Sequence, residues 1–265
     1  STGSDSDGQA WYDLAFAVSP NDENILFVGG VNTWKSIDGG VNWSLNTHWT
    51  GSGGADYMHA DEHMIKYNPL NGNIYSGNDG GLYYSTDEVN WTDISDGLHI
   101  SQFYSLGVSQ SVQNKVITGA QDNGTFLKTN LNWDAVIGGD GMECIIDYTN
   151  SNIMYGEVYY GAIRKSTNGG NSFNLVTTGL PSAAGRMYID VTQANSNYVY
   201  LVAATGGYDY QGVYRSTNSG LSFTQMANTT DIFNGVSQAW YDLAISASNT
   251  NENEIYDGVL NIWKS

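Results

Sequence analysis

Ser36-Ile-Asp-Gly-Gly-Val-Asn-Trp43 is the stretch on which the reading of this chain turns. It has the form Ser-x-Asp-x-Gly-x-x-Trp, carried by Ser36, Asp38, Gly40 and Trp43. The pattern returns as Ser85-Thr-Asp87-Glu-Val-Asn-Trp91, one residue shorter and without the glycine. It returns again as Ser166-Thr-Asn168-Gly-Gly170-Asn-Ser-Phe173 and Ser216-Thr-Asn218-Ser-Gly220-Leu-Ser-Phe223, with Asn in place of Asp. A decayed fifth copy is read at Lys128-Thr-Asn-Leu-Asn-Trp133. Each element of the pattern has a physical job. Asp or Asn accepts hydrogen bonds from the turn backbone, Gly takes a left-handed conformation, and the aromatic residue plugs the space between strands.

Upstream of each copy lies a run with period-two alternation, the signature of a strand with two distinct faces. These runs begin at Tyr12, Asp61, Gln102, Met142, Gly185 and Tyr241. A second apolar run, a Gly-rich turn, a third strand ending at the Ser-x-Asp turn and a fourth strand follow each. The chain is therefore expected to be all-β, a β-propeller of four-stranded blades in one domain spanning 1–265. Its six units are 10–58, 59–101, 102–141, 142–184, 185–236 and a partial 237–265.

The repeated turn resembles the Asp box, or BNR repeat, of sialidases, sortilin-like VPS10 domains and two-propeller xyloglucanases. Ala120-Gln-Asp-Asn-Gly124 and Gly138-Gly-Asp-Gly-Met-Glu-Cys144 also resemble Asp-box propellers of large secreted bacterial surface proteins. The resemblance spans most of the chain. It implies a propeller and leaves function open, because the box is a structural turn.

Composition narrows the partners. Nine Lys+Arg stand against 27 Asp+Glu in 265 residues, a formal net charge of −18. Nucleic acid is excluded as a partner, since a polyanion binder needs a basic footprint. No apolar run approaches a membrane span, so membrane insertion is not expected. The acidic, Gly-, Asn- and Ser-rich, Lys-poor composition suits an extracellular or cell-surface protein. Cys144 is the sole cysteine. Its place in the alternation makes it a small core residue rather than a nucleophile.

The alternation assigns two faces to each inner strand. Leu14, Phe16, Val18, Ile65, Leu106, Val108, Ile146, Met187, Ile189, Val191, Leu243 and Ile245 are expected to pack between sheets. The opposite parity is expected to line a central channel, with Asp13, Glu62, Phe103, Glu143, Arg186 and Asp242 at one level. Three readings of that ring stand side by side: a wide, solvated mouth; a hard cation such as Ca²⁺, which carboxylates suit; or a polar ligand. No cofactor is required by any residue pattern.

Turn topology gathers a functional rim opposite the Ser-x-Asp turns: Asn78–Gly81, Gln121–Gly124, Glu157–Tyr160 and Gly206–Tyr210, with the crossings between blades. The rim supplies the ligand-binding candidates His59, Asp61, Tyr159 and Tyr160 beside the channel residues. Acceptors for hydroxyls next to aromatic platforms are what a carbohydrate or peptide site uses. His59, Asp61 and His63 would share one side of a strand and could hold a divalent metal. The alternative, that His63 is a hydrogen-bonded core histidine, fits its alignment with Leu14, Cys144 and Leu243.

The resemblance to sialidases implies three substrate-clamping arginines, but the chain has only Arg164, Arg186 and Arg215. Arg164 and Arg215 belong to third strands, so sialidase activity is not carried over. A xyloglucanase-like glycoside hydrolase needs two carboxylates, one acid and one base, for which Asp79, Asp122, Asp140 and Glu143 are candidates. The leading expectation is a binding or adhesion propeller recognising a glycan or surface protein. A glycoside hydrolase, or part of one, comes second, and a structural subunit of a repetitive surface assembly third.

Residues 237–265 match 8–36 without a gap, sharing Gln-Ala-Trp-Tyr-Asp-Leu-Ala and Trp-Lys-Ser. This is either a blade duplication or one period of a tandem array. The outer edge of the sixth unit is expected to be capped by residues 1–9 or by a strand from a neighbouring copy or flanking repeat.

Overall fold

A computed structural model describes residues 10–98, 101–226 and 230–265. Residues 1–9, the expected capping strand, and His99 lie outside the described residues. Six antiparallel sheets follow one another along the chain. The first holds Ala15–Val18, Leu26–Gly29, Thr33–Ser36 and Ser44–His48, with Asp56–Tyr57 added parallel to its fourth strand. The second holds Glu62–Tyr67, Ile74–Asn78, Gly81–Ser85 and Thr92–Asp93. The third holds Phe103–Val108, Lys115–Ala120, Gly124–Thr129 and Asn132–Ile137, and the fourth Gly141–Ile146, Met154–Val158, Ala162–Ser166 and Asn174–Leu175. The fifth holds Arg186–Val191, Val199–Ala204, Tyr210–Ser216 and Thr224–Gln225. The sixth has three strands, Ala244–Ala247, Ile255–Gly258 and Ile262–Lys264, preceded by a single helical turn, Ala239–Asp242. The chain divides into two compact units, Ser1–Ile100 and Ser101–Ser265, each described by itself.

The Ser-x-Asp turns join third and fourth strands through one shared hydrogen-bond pattern. Ser36 Oγ donates to Asp38 Oδ1 and accepts from the Gly40 amide at 2.9 Å, while Asp38 Oδ1 accepts from Asn42 N at 2.8 Å. Ser166 with Asn168 and Ser216 with Asn218 repeat it. In the shorter copy Ser85 Oγ accepts instead from Glu88 N, and Glu88 takes the left-handed φ of +65° that glycine takes elsewhere. The fifth copy is different. Thr129 pairs directly with Asn132 around a two-residue turn in which Asn130 has φ +57°. Without a serine to gather the amides, Lys128–Trp133 is a tight hairpin rather than a further copy of the turn.

Apolar layers sit between successive sheets. In the first unit Ala15, Ala17 and Phe27 meet Met58, Ile65, Ile74, Tyr83 and Trp91. In the second, Ile117 and Leu127 meet Cys144, Ile146 and Met154; Tyr155 and Ile163 meet Met187, Ile189 and Leu201; Tyr200 and Val202 meet Leu243 and Ile245. Small residues let backbones approach. A Cβ on Gly119 would lie 1.9 Å from the Met142 carbonyl oxygen.

This packing corrects the two-face reading of the inner strands. Alternate side chains face the preceding and the following sheet, so both parities can be buried. Asp13, Glu62 and Glu143 are buried rather than lining an open channel, and Arg186 and Asp242 are half-buried. Ile65, Ile146, Met187, Ile189, Val191, Leu243 and Ile245 pack as expected. Leu14, Phe16, Val18, Leu106 and Val108 are exposed. Cys144 is a buried free thiol, pushed up to about 12 by burial.

Candidate functional site

Because each sheet is an antiparallel meander, the turn between its second and third strands lies at the end opposite its Ser-x-Asp turn. Asp79, Asp122 and Tyr160 are all in such turns. In the second unit these turns have unusual backbones. Asp122 has φ +56°, Tyr160 +67° and Tyr208 +65°. The left-handed region costs an L-residue roughly 1–2 kcal/mol, and a bulky aromatic residue there is a genuine outlier. Three successive sheets therefore hold a non-glycine residue in a strained conformation at one end.

Hydrogen bonds link those turns from sheet to sheet. Asp140, before the fourth sheet, accepts the Asp122 amide on Oδ1 at 2.8 Å, and its carbonyl accepts the Tyr159 amide at 3.1 Å. The Tyr159 and Tyr208 hydroxyls are 2.8 Å apart, joining the fourth and fifth sheets. Arg186 of the fifth sheet donates to the carbonyls of Ala239 and Trp240, before the sixth. Tyr160 is exposed, its ring edge-on to Tyr159 at 4.4 Å. Tyr104 joins the group. Burial raises its phenol, Arg186 opposes that, and Asp140, Asp122 and Tyr208 reinforce it.

Behind this surface sit two acids. Glu143 accepts from Ser105 Oγ at 2.7 Å, and burial pushes it up to about 7 against the pull of Ser105, Tyr188 and Arg186. Glu157 is fully buried in the second strand of its sheet. Its Oε1 accepts the Met187 amide at 2.6 Å, its Oε2 has no hydrogen-bond partner, and burial pushes it up to about 8. A buried carboxyl with one orphan oxygen favours its protonated form.

The first unit holds a separate polar group. Asp79 accepts from Tyr12 Oη at 2.9 Å on one oxygen and meets His63 Nε2 at 2.5 Å on the other. Tyr12 stands edge-on to the His63 ring, centroids 5.0 Å apart. His63 is exposed, so it is a surface residue rather than a core histidine. The expected alignment of His59, Asp61 and His63 on one strand side does not form. Asp61 has φ +67°, the strand begins only at Glu62, and a register shift follows between Glu62 and Met64. His59 Nδ1 lies 3.2 Å from the Ala60 carbonyl. Asp61 and Asp79 bring carboxylate oxygens within 4.8 Å of each other, an arrangement a hard cation would suit. Burial, with Asp13 and Asp79 nearby, pushes Asp61 up to about 6. Glu62 accepts from Ser76 and Asn78, and burial pushes it up to about 8.

Among the sequence candidates, Asp122, Asp140, Glu143, Arg186, Tyr159 and Tyr160 fall in one group in the second unit. Asp13, Asp61, Glu62, His63 and Asp79 fall in the first, and Asp242 bonds Gln238 at 2.8 Å. Arg164 and Arg215 sit in third strands. Sequence reading missed Tyr104 and Tyr188, which lie on inner strands whose alternation had been divided between core and channel. A cavity of about 400 Å³ between the fifth and sixth sheets, lined by Tyr200, Val213, Met226, Ile255 and Trp263, contains none of the predicted site residues.

No protein-family model matches this chain, and no curated protein matches it. Among solved structures it is similar to a GH74 enzyme of Niastella koreensis, at 16% identity and a TM-score of 0.53, covering 91% of this chain and 37% of that one. It also matches YCF48 bound to D1 peptide (14% identity, 93% and 73% covered, TM-score 0.41) and the WD40 β-propeller domain of Doa1 (11%, 94% and 76%, 0.42). The first likeness, with the repeated antiparallel sheets, shows a β-propeller fold. The chain spans little more than a third of that enzyme's length.

Proposed function

We propose that this chain is a binding propeller of an extracellular or surface protein, and that the second-unit face built from Asp122, Asp140, Tyr159, Tyr160 and Tyr208 takes a glycan. The observation that carries this reading is the left-handed backbone at Asp122, Tyr160 and Tyr208. Strain kept at three neighbouring turns has a rationale if it sets the exposed Tyr160 ring to contact a ligand. An exposed tyrosine ring offers an apolar sugar face a platform, and the adjacent carboxylates accept from hydroxyls. In this reading the Ser-x-Asp turns are Asp boxes, which hold the opposite end of each sheet and take no part in binding. No cofactor is needed for it.

A glycoside hydrolase is the second reading, favoured by one observation: Glu143 is pushed up to about 7, where an acid catalyst works. It is buried, however, and the groups that act on it are Ser105, Tyr188, Arg186 and Asp190. That supports a structural acid over one of a catalytic pair.

The test is a panel of soluble glycans titrated against the chain and against Tyr160→Gly. Glycine relieves the strained turn, so the variant should be as stable as the parent to within about 1 kcal/mol and yet lose most of its affinity. Binding unchanged in Tyr160→Gly would remove the basis of this reading, and turnover abolished by Glu143→Gln would favour the hydrolase.

A further inference from the structure

Trp240 stands in the helical turn Ala239–Asp242 that leads into the first strand of the sixth sheet. A first strand starts at the end of its sheet where the turn between second and third strands lies. Trp240 is therefore at the same end as Asp122, Tyr160 and Tyr208. Its backbone is anchored there from the fifth sheet. Arg186 donates to the carbonyls of Ala239 and Trp240. Ser237 Oγ donates to Asp209 Oδ1, which ties the approach to the turn to the residue after Tyr208. Ala239 is fully buried in the layer between the fifth and sixth sheets. The side chain that this anchored turn carries is nevertheless 58% accessible.

That exposure belongs to the position and not to a missing neighbour. Trp11, the counterpart of Trp240 in the matched segment 8–36, is 86% accessible. Trp240 has a preceding sheet beside it and Trp11 a following one, and neither sheet covers the indole. The next position behaves differently. Tyr12, the counterpart of Tyr241, bonds Asp79 and stands edge-on to His63 of the second sheet. The tyrosine position thus faces a neighbouring sheet, and the tryptophan position faces solvent. An indole held in solvent on a fixed backbone offers a flat apolar platform of the kind Tyr160 offers in the fourth sheet.

The separation of the two rings decides what could use both. Tyr160 belongs to the fourth sheet and Trp240 precedes the sixth, with the Tyr208 turn of the fifth between them. Packed sheets lie about 10 Å apart, so the two rings are on the order of 20 Å apart. One sugar cannot span that distance, whereas a chain of sugars can. Asp122, Asp140 and Asp209 lie along the same end, in a chain of net charge −18, and they disfavour uronates and sulfated sugars.

We propose that the glycan is an uncharged chain of several sugars laid along this end of the second unit from the fourth sheet to the sixth, with Tyr160 and Trp240 as platforms under different sugars. This rests on the glycan reading of the Tyr160 face, to which it adds Trp240 and the class of ligand.

The test is calorimetric titration of the chain and of Trp240→Ala with linear gluco-, xylo- and manno-oligosaccharides of increasing length, and with a uronate series. Trp240 is exposed, so the variant should keep the parent's unfolding midpoint; Trp240→Gln replaces it should alanine lower that midpoint. For the parent, affinity is expected to climb with length until both rings are reached. Trp240→Ala should weaken the longest neutral oligomers about tenfold and leave the shortest nearly unchanged. Uronates should bind more weakly than neutral oligomers of equal length. Affinity that is independent of length, a length dependence that survives Trp240→Ala, or uronates bound as tightly as neutral sugars would each overturn the proposal and leave the glycan reading standing. No binding to any oligosaccharide would remove the glycan reading itself, and this proposal with it.

Discussion

The hydroxyls of Tyr159 and Tyr208 lie 2.8 Å apart and bond the hairpin turn of the fourth sheet to that of the fifth. Burial raises the Tyr159 phenol, and the Tyr208 hydroxyl and the Tyr160 and Tyr104 rings reinforce the effect. The bond holds two left-handed turns in fixed relation. Removing either hydroxyl should lower stability by about 1 kcal/mol, the net worth of one such bond. Because both changes break the same bond, Tyr159→Phe with Tyr208→Phe should cost little more than either alone. Urea midpoints of the parent, the two single variants and the double variant check this. Additive losses would mean that the hydroxyls act separately.

Stability should peak on the acid side of neutrality. Glu62, Glu143 and Glu157 are raised to about 8, 7 and 8, chiefly by burial. A carboxyl raised in the folded state binds its proton more tightly there, so stability is lost as pH climbs from its unfolded value near 4.5 through 7–8. Each such group steepens that loss by up to about 1.4 kcal/mol per pH unit. At the other end, Asp38 is lowered to about 2 and Asp87 is lowered too, mainly by backbone hydrogen bonds from Asn42 and Asn90. Their contribution is present above pH 4 and lost as pH falls through the folded value. The maximum should therefore fall near pH 4–5, and Glu62→Gln or Glu143→Gln should flatten the alkaline limb. Denaturant midpoints that rise steadily from pH 5 to pH 8 would contradict this.

The turns were legible because their chemistry is local. Ser36, Asp38 and Gly40 lie within five residues, and their hydrogen bonds do not depend on neighbouring sheets. The run of strands was legible for the same reason, through period-two alternation. What alternation cannot report is which of two faces meets a neighbour. Glu143 and Ala15 have the same parity as residues expected in a channel, yet both are buried, because that parity faces a neighbouring sheet rather than a channel. The left-handed turns were half visible. Asn123-Gly124 marks a turn in sequence, but nothing in Tyr159-Tyr160-Gly161 shows that Tyr160 rather than a glycine adopts positive φ. The failed alignment of His59, Asp61 and His63 has a similar cause, since one left-handed residue, Asp61, resets the alternation around it.

Ser216 is the strongest test of the turn chemistry. Its Oγ is buried, donates to Asn218 Oδ1 at 2.8 Å and accepts from the Gly220 amide at 2.8 Å and the Asn218 amide at 3.2 Å. Ser216→Ala leaves those amides without their acceptor and should cost about 1–3 kcal/mol. Asn218→Asp should be neutral or slightly stabilising, because Asp38 makes the same contacts and the Ser222 hydroxyl, 2.8 Å from Asn218 Nδ2, can donate to a carboxylate instead. Thermal midpoints of the two variants check the pair. Equal losses in both would show that the turn is not organised around the serine.

Gly119 offers a separate measure of how tightly successive sheets pack. Its φ is outside the left-handed region, so alanine meets no backbone penalty there, and any effect must come from the space beside it. That space is filled by backbone. A Cβ would lie 1.9 Å from the Met142 carbonyl oxygen and 2.7 Å from the Gly141 carbonyl carbon, and neither can rotate away as a side-chain end would. Gly107 repeats the crowding, 2.8 Å from Ile145 Cα. Gly119→Ala must therefore push the third and fourth sheets apart, loosening the layer of Ile117, Leu127, Cys144, Ile146 and Met154. Overpacking of a dense core typically costs about 1–3 kcal/mol, and here the displaced group is main chain, which places the loss at the upper end of that range or beyond. Gly138 is the control. It too lacks a positive φ, and a Cβ there would meet nothing within 4 Å, so Gly138→Ala should leave the unfolding midpoint unchanged. A Gly119→Ala protein as stable as Gly138→Ala would mean that the two sheets do not approach as closely as described.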